Sequence, residues 1–198
     1  MNPFEQSLVA NMGSFDLDLP AETVSRLGEY YSLLTRWNDR LHLVAPCTPE
    51  EFAVRHILES LMLLKHLPPD ARVADIGSGG GLPIIPCLIA RPDLHATLVE
   101  SSSKKSVFLH EATRGFQATI IAQPFEQVEP PSVQFVTCRA LDQFMQKLPA
   151  LLDWAPASST LLLFGGETLK EELGKAKVNF KAFLIPQSEK RFLFLATD

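Results

Sequence analysis

Residues 72–100 read RVADIGSGGGLPIIPCLIARPDLHATLVE, and no other stretch of the chain restricts its fold as much. RVADI is a short apolar run ending near Asp75, and it reads as a buried strand. Glycines follow at 77, 79, 80 and 81, then a helical stretch over residues 83–90, then a second strand, HATLVE, ending at Glu100. A strand, a helix and a strand within about 30 residues form the crossover that joins parallel neighbours in a sheet. The same rhythm continues: a helix over 103–114, strands at ATIIA and VQFVTC, a helix over 140–153, a strand at TLLLF and a short helix near 168–175. FKAFLI and RFLFLA, joined by the turn-like PQSEK, read as a closing antiparallel pair. The expected architecture is α/β: a mostly parallel sheet with helices on both faces and one reversed strand in the closing hairpin.

The first 70 residues follow a different period. Leu27, Tyr30, Leu33, Leu34, Trp37 and Leu41 recur at intervals of three and four and make one apolar helical stripe, so Trp37 is expected in the core. A second helix is expected from Thr48, with Pro49 in its first position and Glu51 completing a capping box, as far as Pro68-Pro69. The chain therefore divides into a helical cap, 1–70, and an α/β domain, 71–198. No apolar run approaches the roughly 18 residues of a membrane span, and the N-terminal stretch lacks the basic flank and apolar centre of a signal peptide. Cys47, Cys87 and Cys138 are odd in number and far apart, which suits a reducing cytoplasm rather than a disulfide framework. The five histidines, 42, 56, 66, 95 and 110, form no close pair, and no metal site is expected.

In an open parallel sheet, ligands bind beyond the carboxyl ends of strands, and a glycine loop there lets the backbone approach them closely. Three ligands compete for this loop. A triphosphate loop requires Gly-x-x-x-x-Gly-Lys-Ser/Thr, and no lysine follows these glycines. A dinucleotide loop requires Gly-x-Gly-x-x-Gly, whose third glycine falls on Leu82 or Ile84 here. What remains, Asp75-x-Gly77-x-Gly79-x-Gly81, looks like the S-adenosylmethionine (SAM) loop of Rossmann-like methyltransferases. There the methionine portion lies along the loop, and an acid ending the second strand binds the ribose hydroxyls. Glu100 is at that place, and a carboxylate accepting two hydroxyl hydrogen bonds makes a good clamp.

Several stretches together resemble the bacterial small-subunit ribosomal RNA methyltransferase G family, also called glucose-inhibited division protein B. They are Arg36-Trp37-Asn38 with Leu43, Arg55-His56-Ile57-Leu58-Glu59-Ser60, the loop from Asp75 to Pro83, Pro86, Ala90-Arg91-Pro92, Leu98-Val99-Glu100-Ser101 with Lys104-Lys105, and Arg139-Ala140. The resemblance implies a helical N-terminal part on a SAM-binding α/β domain, and methylation of one guanine of small-subunit ribosomal RNA at ring nitrogen seven. It implies that Gly77 and Leu82 touch SAM, that Phe125 and Glu126 contact the adenine side, and that Arg139 lies beside the cofactor pocket.

The chain also departs from the family pattern. His42-Leu43-Val44 stands for Asn-Leu-Thr, Glu59 for Asp, and Glu100 for the more usual Asp. Ile84 follows Pro83 where the family has glycine, and its bulk is expected to narrow the pocket near the methionine end. Phe164-Gly165-Gly166 lacks the lysine of the family's Leu-Lys-Gly. Two other readings therefore stay open: a SAM-binding homologue with a different substrate or lost activity, and a nicotinamide-dependent oxidoreductase, against which the missing third glycine counts.

The chemistry implied by the resemblance needs little acid–base help. Guanine nitrogen seven carries a free lone pair in the ring plane, so no proton has to be removed first, and no general base is assigned. Alignment of the two reactants is the enzyme's main task, a contribution on the order of 7–11 kcal/mol. RNA has to be met by local positive charge, because the first 70 residues carry 5 Lys/Arg against 10 Asp/Glu and the rest 13 of each. Arg36, Arg55, His56, Lys104 and Lys105 are the candidates, with ribosomal RNA or the assembled small subunit as partner.

Overall fold

A computed structural model describes residues 1–139 and 143–197. The chain opens with α1 (Pro3–Asn11), where Asn2 and Glu5 form a capping box, and α2 (Ala21–Leu41). A second capping box, Thr48 with Glu51, starts α3 (Pro49–Phe52) as the sequence leads one to expect. The helix that follows is not uniform. A π turn over Ala53–Leu58 interrupts it, α4 (Glu59–Leu61) resumes it, and a 3-10 turn over Met62–His66 ends it before the two prolines.

The α/β part then runs β1 (Arg72–Ile76), α5 (Ile84–Ala90), β2 (His95–Val99), α6 (Ser103–Ala112), β3 (Ala118–Ile121) and β4 (Phe135–Cys138). It closes with α7 (Phe144–Trp154), β5 (Thr160–Gly165), α8 (Glu167–Lys175), β6 (Asn179–Leu184) and β7 (Phe192–Thr197). The helix expected over 140–153 begins at Phe144, and residues 140–142 lie outside the described residues.

The seven strands lie in the order β3-β2-β1-β4-β5-β7-β6. The pairings from β3 across to β5 are all parallel, whereas β7 runs antiparallel to both β5 and β6. One reversed strand therefore closes the sheet, as the sequence pattern predicts. The order reverses at β1, which pairs with β2 on one side and β4 on the other. The crevice beyond the carboxyl ends of β1 and β4 is the topological switch point of the sheet.

Alternation along the strands sorts the core into two layers. Val73, Leu98, Leu162, Phe164 and Leu193 face one layer, shared with α5, α6 and the N-terminal helices through Leu27, Leu34, Ile57 and Leu61. Ala74, Ile76, Val136, Leu161, Leu163 and Phe194 face the other, against α7 and α8. Both faces are covered, which is why the strands read as continuous apolar runs. Among the described residues, no helix is long and apolar enough to cross a membrane.

Candidate cofactor site

The loop after β1 is built on alternate glycines with left-handed backbone, φ being 70° at Gly77, 51° at Gly79 and 80° at Gly81. A side chain at these positions is strained whatever space surrounds it. The space itself differs among them. A Cβ on Gly81 would lie 2.1 Å from Cδ1 of Ile85, so this glycine permits close packing of α5. A Cβ on Gly79 would meet only the Gly77 carbonyl, at 3.7 Å, so this glycine faces open space.

Neighbouring strands fix the loop. The N–H groups of Gly77 and Ser78 donate to the Val99 carbonyl at the end of β2, at 2.9 and 3.2 Å. Immediately after β2, Glu100 is buried, and its two carboxylate oxygens accept the backbone N–H groups of Gly79 and Ser102, each at 2.8 Å. The acid therefore anchors the glycine loop and presents its charge at the same point.

A cavity of about 280 Å³ opens here, near the lower end of the volumes usual for small-molecule sites. Gly77, Gly79, Leu82, Glu100 and Lys105 line it together with residues 43–45, His56, Arg139 and Lys147. The segment at 43–45 is held by Asn38, whose side-chain amide donates to the Val44 carbonyl at 3.1 Å and whose Oδ1 accepts the Val44 N–H at 2.9 Å.

Arg139, just past β4, is bound to the π turn. Its guanidinium donates to the carbonyls of Arg55 and His56, to the Ser60 hydroxyl at 3.1 Å and to the Glu59 carboxylate at 3.2 Å. It also lies 5.6 Å from the centroid of the Phe164 ring. The π turn departs from the ordinary helical ladder, and the guanidinium takes up two of its carbonyls. Arg191 approaches the other oxygen of Glu59 at 2.7 Å, so one buried acid sits between two arginines.

Acid–base states around the cavity are set mainly by burial. His56 packs on Phe52, and desolvation, reinforced by Arg139, Arg55 and Arg191, lowers its pKa to about 3. Asp75 is buried, and desolvation raises its pKa to about 8, a hydrogen bond with Ser78 opposing the shift and Glu100 adding to it. At neutral pH the histidine is uncharged and the aspartic acid holds its proton.

The expected site residues fall into groups. Gly77, Gly79, Leu82, Glu100, His56, Lys105 and Arg139 meet at the one cavity, whereas Asp75 and Gly81 shape the loop without lining it. Phe125 is buried edge-on against Trp154, and Glu126 pairs with Lys147 at 3.1 Å, so both stand behind Lys147 rather than in the wall. Arg55 is exposed beside a smaller cavity of about 170 Å³ with Glu59 and Arg191. Arg36 faces a separate cavity with Arg26 and Arg114, and Lys104 is exposed on α6.

Two of the sequence departures take on a physical meaning. Ile84 is fully buried in the core and does not line the cavity, so the expected narrowing does not occur. Gly165 packs under α8, where a Cβ would lie 2.5 Å from Cδ2 and 2.8 Å from Cβ of Leu169.

Sequence reasoning missed Lys147, the pairing of Glu59 with two arginines, and the hydrogen bond from Tyr30 to the loop. A hydroxyl in an apolar stripe has to find a partner when buried, and this was the available signal for Tyr30. Lys147, on an amphipathic helix, carried none.

Switch-point loop, strand-end acid and strand order together define a Rossmann-like SAM-dependent methyltransferase. Solved structures share this fold. Magnesium protoporphyrin IX methyltransferase from Synechocystis PCC 6803, with bound SAM, matches at a TM-score of 0.60 and 16% identity, covering 91% of this chain and 99% of that one. A SAM-dependent methyltransferase from Aquifex aeolicus matches at 0.61 and 12% identity, covering 84% and 98%.

The family model described as rRNA small subunit methyltransferase G matches residues 23–196, and the chain belongs to that family. The ribosomal RNA small subunit methyltransferase G of Sorangium cellulosum is 34% identical over 181 residues, covering 86% of this chain and 76% of that protein. The protein of the same name from Methylobacillus flagellatus is 33% identical over 174 residues, covering 86% and 84%. The chain is thus an enzyme that uses SAM. Its cavity fits that cofactor: an open glycine face for the amino-acid part, and a carboxylate with spare lone pairs for the ribose hydroxyls.

Proposed function

We propose that this enzyme methylates ring nitrogen seven of a guanine in small-subunit ribosomal RNA, as a cytoplasmic protein acting on the RNA or on the assembled subunit. In this reading residues 1–70 are a cap on a SAM-binding domain, 71–198. Gly77, Gly79 and Leu82 hold the amino-acid part of SAM, Glu100 the ribose, and Lys147, backed by Phe125 and Glu126, the adenine side. Asp75 and Gly81 shape the loop, and Arg139 borders the pocket.

The observation that carries the reading is the switch-point cavity, where the open face of the glycine loop meets the Glu100 carboxylate, and the acid–base state of nearby groups agrees with it. His56 is uncharged, with its pKa pushed down to about 3, and so is a poor proton acceptor at neutral pH. Asp75 keeps its proton there and lies outside the wall. With His56 unsuited to act as a base and both oxygens of Glu100 engaged by backbone N–H groups, the site suits a nucleophile, such as guanine nitrogen seven, that needs no deprotonation. When bound, SAM supplies a methyl group on a positively charged sulfur. The protein's own contribution is orientation: the glycine loop and Glu100 fix one reactant, and Arg55, His56 and Lys105 border the approach of the other, with Arg36 and Lys104 as outlying phosphate contacts.

The test is transfer of labelled methyl from SAM to small subunits and to naked small-subunit RNA lacking the modification, with the product mapped by cleavage at the methylated guanine. The reading requires one labelled guanine and an affinity that falls with salt by about 0.7–0.9 log units per log unit for each phosphate neutralised. SAM binding with no transfer to either substrate would instead support a homologue that has moved to another substrate, the reading favoured by glycine at position 165.

A further inference from the structure

The middle of the glycine loop is held by two side chains from separate elements. Glu100 accepts the Gly79 N–H at 2.8 Å, and the hydroxyl of Tyr30, on α2, donates to the Gly80 carbonyl at 2.5 Å. Tyr30 is 4% exposed and lies 50 residues from its acceptor. The next N–H, that of Gly81, donates to the Ser78 carbonyl at 2.6 Å, so both ends of the Gly80–Gly81 peptide are fixed. Leu34, one turn further along α2, and Leu43 crowd the same glycine: a Cβ on Gly80 would lie 3.3 Å from Leu34 Cδ1 and 3.4 Å from Leu43 Cβ. Gly77, Gly79 and Gly80 all line the cavity. An N-terminal helix thereby sets the orientation of a peptide in the cofactor loop, although Tyr30 itself does not reach the cavity wall.

We propose that Tyr30 is a positioning residue for the cofactor: by holding the Gly80 carbonyl, it keeps residues 77–80 in the conformation that receives SAM. The proposal rests on the reading that SAM lies along this loop. It predicts an effect on cofactor affinity rather than on RNA. Loss of the hydroxyl leaves a carbonyl without its partner and frees the peptide to rotate, so the ordering cost passes to SAM binding.

The experiment is calorimetric titration of the full chain with SAM and with S-adenosylhomocysteine. Tyr30→Phe keeps the ring and removes the donor; the expected result is a Kd about tenfold higher for both ligands. KM for RNA and kcat at saturating SAM should stay near wild type. A matched pair of truncations guards against a misfolded variant. Leu34→Ala and Leu8→Ala remove equally buried side chains, 1% and 0% exposed, but only Leu34 touches Gly80. Leu34→Ala should weaken SAM binding, while Leu8→Ala should lower Tm and leave Kd unchanged. Wild-type affinity in Tyr30→Phe, or equal shifts in the two truncations, would overturn the proposal. Glu100→Ala in the same series separates the two levels: if it too binds SAM normally, the loop is not the cofactor site and the reading beneath the proposal falls with it.

Discussion

Glu100 and Gly79 are joined by a 2.8 Å hydrogen bond from the loop backbone to the strand-end carboxylate, and the other oxygen of that carboxylate holds Ser102. The acid assigned to the ribose is thus also a structural support of the loop. Glu100→Gln cannot accept both N–H groups with the same charge-assisted strength, each such bond contributing about 1.5–3 kcal/mol. The expected outcome is a SAM affinity reduced about 10- to 100-fold, with Glu100→Asp intermediate, as read by calorimetry. Wild-type affinity in Glu100→Gln would show that neither role is filled by this residue.

Glu59 is 3% exposed in its side chain and lies between Arg139, at 3.2 Å, and Arg191, at 2.7 Å. Burial raises its pKa, and the two arginines oppose that shift. Breaking a buried ion pair by removing one partner leaves an uncompensated charge. Glu59→Gln should therefore lose about 3–5 kcal/mol of stability in urea denaturation, well beyond a surface pair. Because Arg139 also fastens the π turn, the cavity wall at His56 should loosen in parallel, visible as faster hydrogen exchange over residues 53–58. A loss under about 1 kcal/mol would mean that the pair behaves as a surface contact.

The alternation of strands and helices, the reversed closing strand and the glycine loop with its strand-end acid were readable because they depend on local signals: short apolar runs, alternate glycines, an acid at a strand end. The break in the helix that follows Thr48 was not. Its sequence carries a clean capping box and no proline or glycine between Pro49 and Pro68, so nothing local announces a π turn. The turn is coupled to Arg139, about 80 residues away, whose guanidinium occupies the carbonyls of Arg55 and His56. The same limit applies to Ile84. Its β-branched bulk beside the loop suggested a narrowed pocket, but the direction of a side chain at a helix start is decided by the core it can enter, and Ile84 enters it fully.

Placing at position 165 the lysine that the family resemblance leads one to expect after β5 is an obvious experiment, and the structure predicts that it fails. A Cβ at position 165 meets Leu169 at 2.5 and 2.8 Å, the second contact being with the Leu169 Cβ itself, which cannot swing away. Gly165→Lys should cost about 1–3 kcal/mol by overpacking, without a gain in methylation. Combining it with Leu169→Ala, which removes the 2.5 Å contact but keeps the Cβ, should cost less than the sum of the two single losses, because the two changes act on one space. Denaturation midpoints of the two single variants and the double variant test this, and a Gly165→Lys protein as stable as wild type would show that α8 shifts freely.

Asp75 and His56 give stability opposite dependences on pH. In the folded chain Asp75 holds its proton up to about pH 8, whereas its ordinary pKa is 3.8. The folded state therefore binds more protons than the unfolded state between those values, and stability falls as pH rises through that window, by at most about 1.4 kcal/mol per pH unit. His56 stays neutral down to about pH 3 against an ordinary 6.5, so its contribution is lost as pH falls from 6.5 towards 3. The two effects oppose each other at mildly acidic pH, but between pH 6.5 and 8 only the aspartic acid of this pair titrates. Urea denaturation at those two pH values should show wild type weakening, and Asp75→Asn, which keeps the shape without an ionisable proton, should show a flatter response. A wild-type protein equally stable at both would mean that Asp75 is already ionised and partnered in solution.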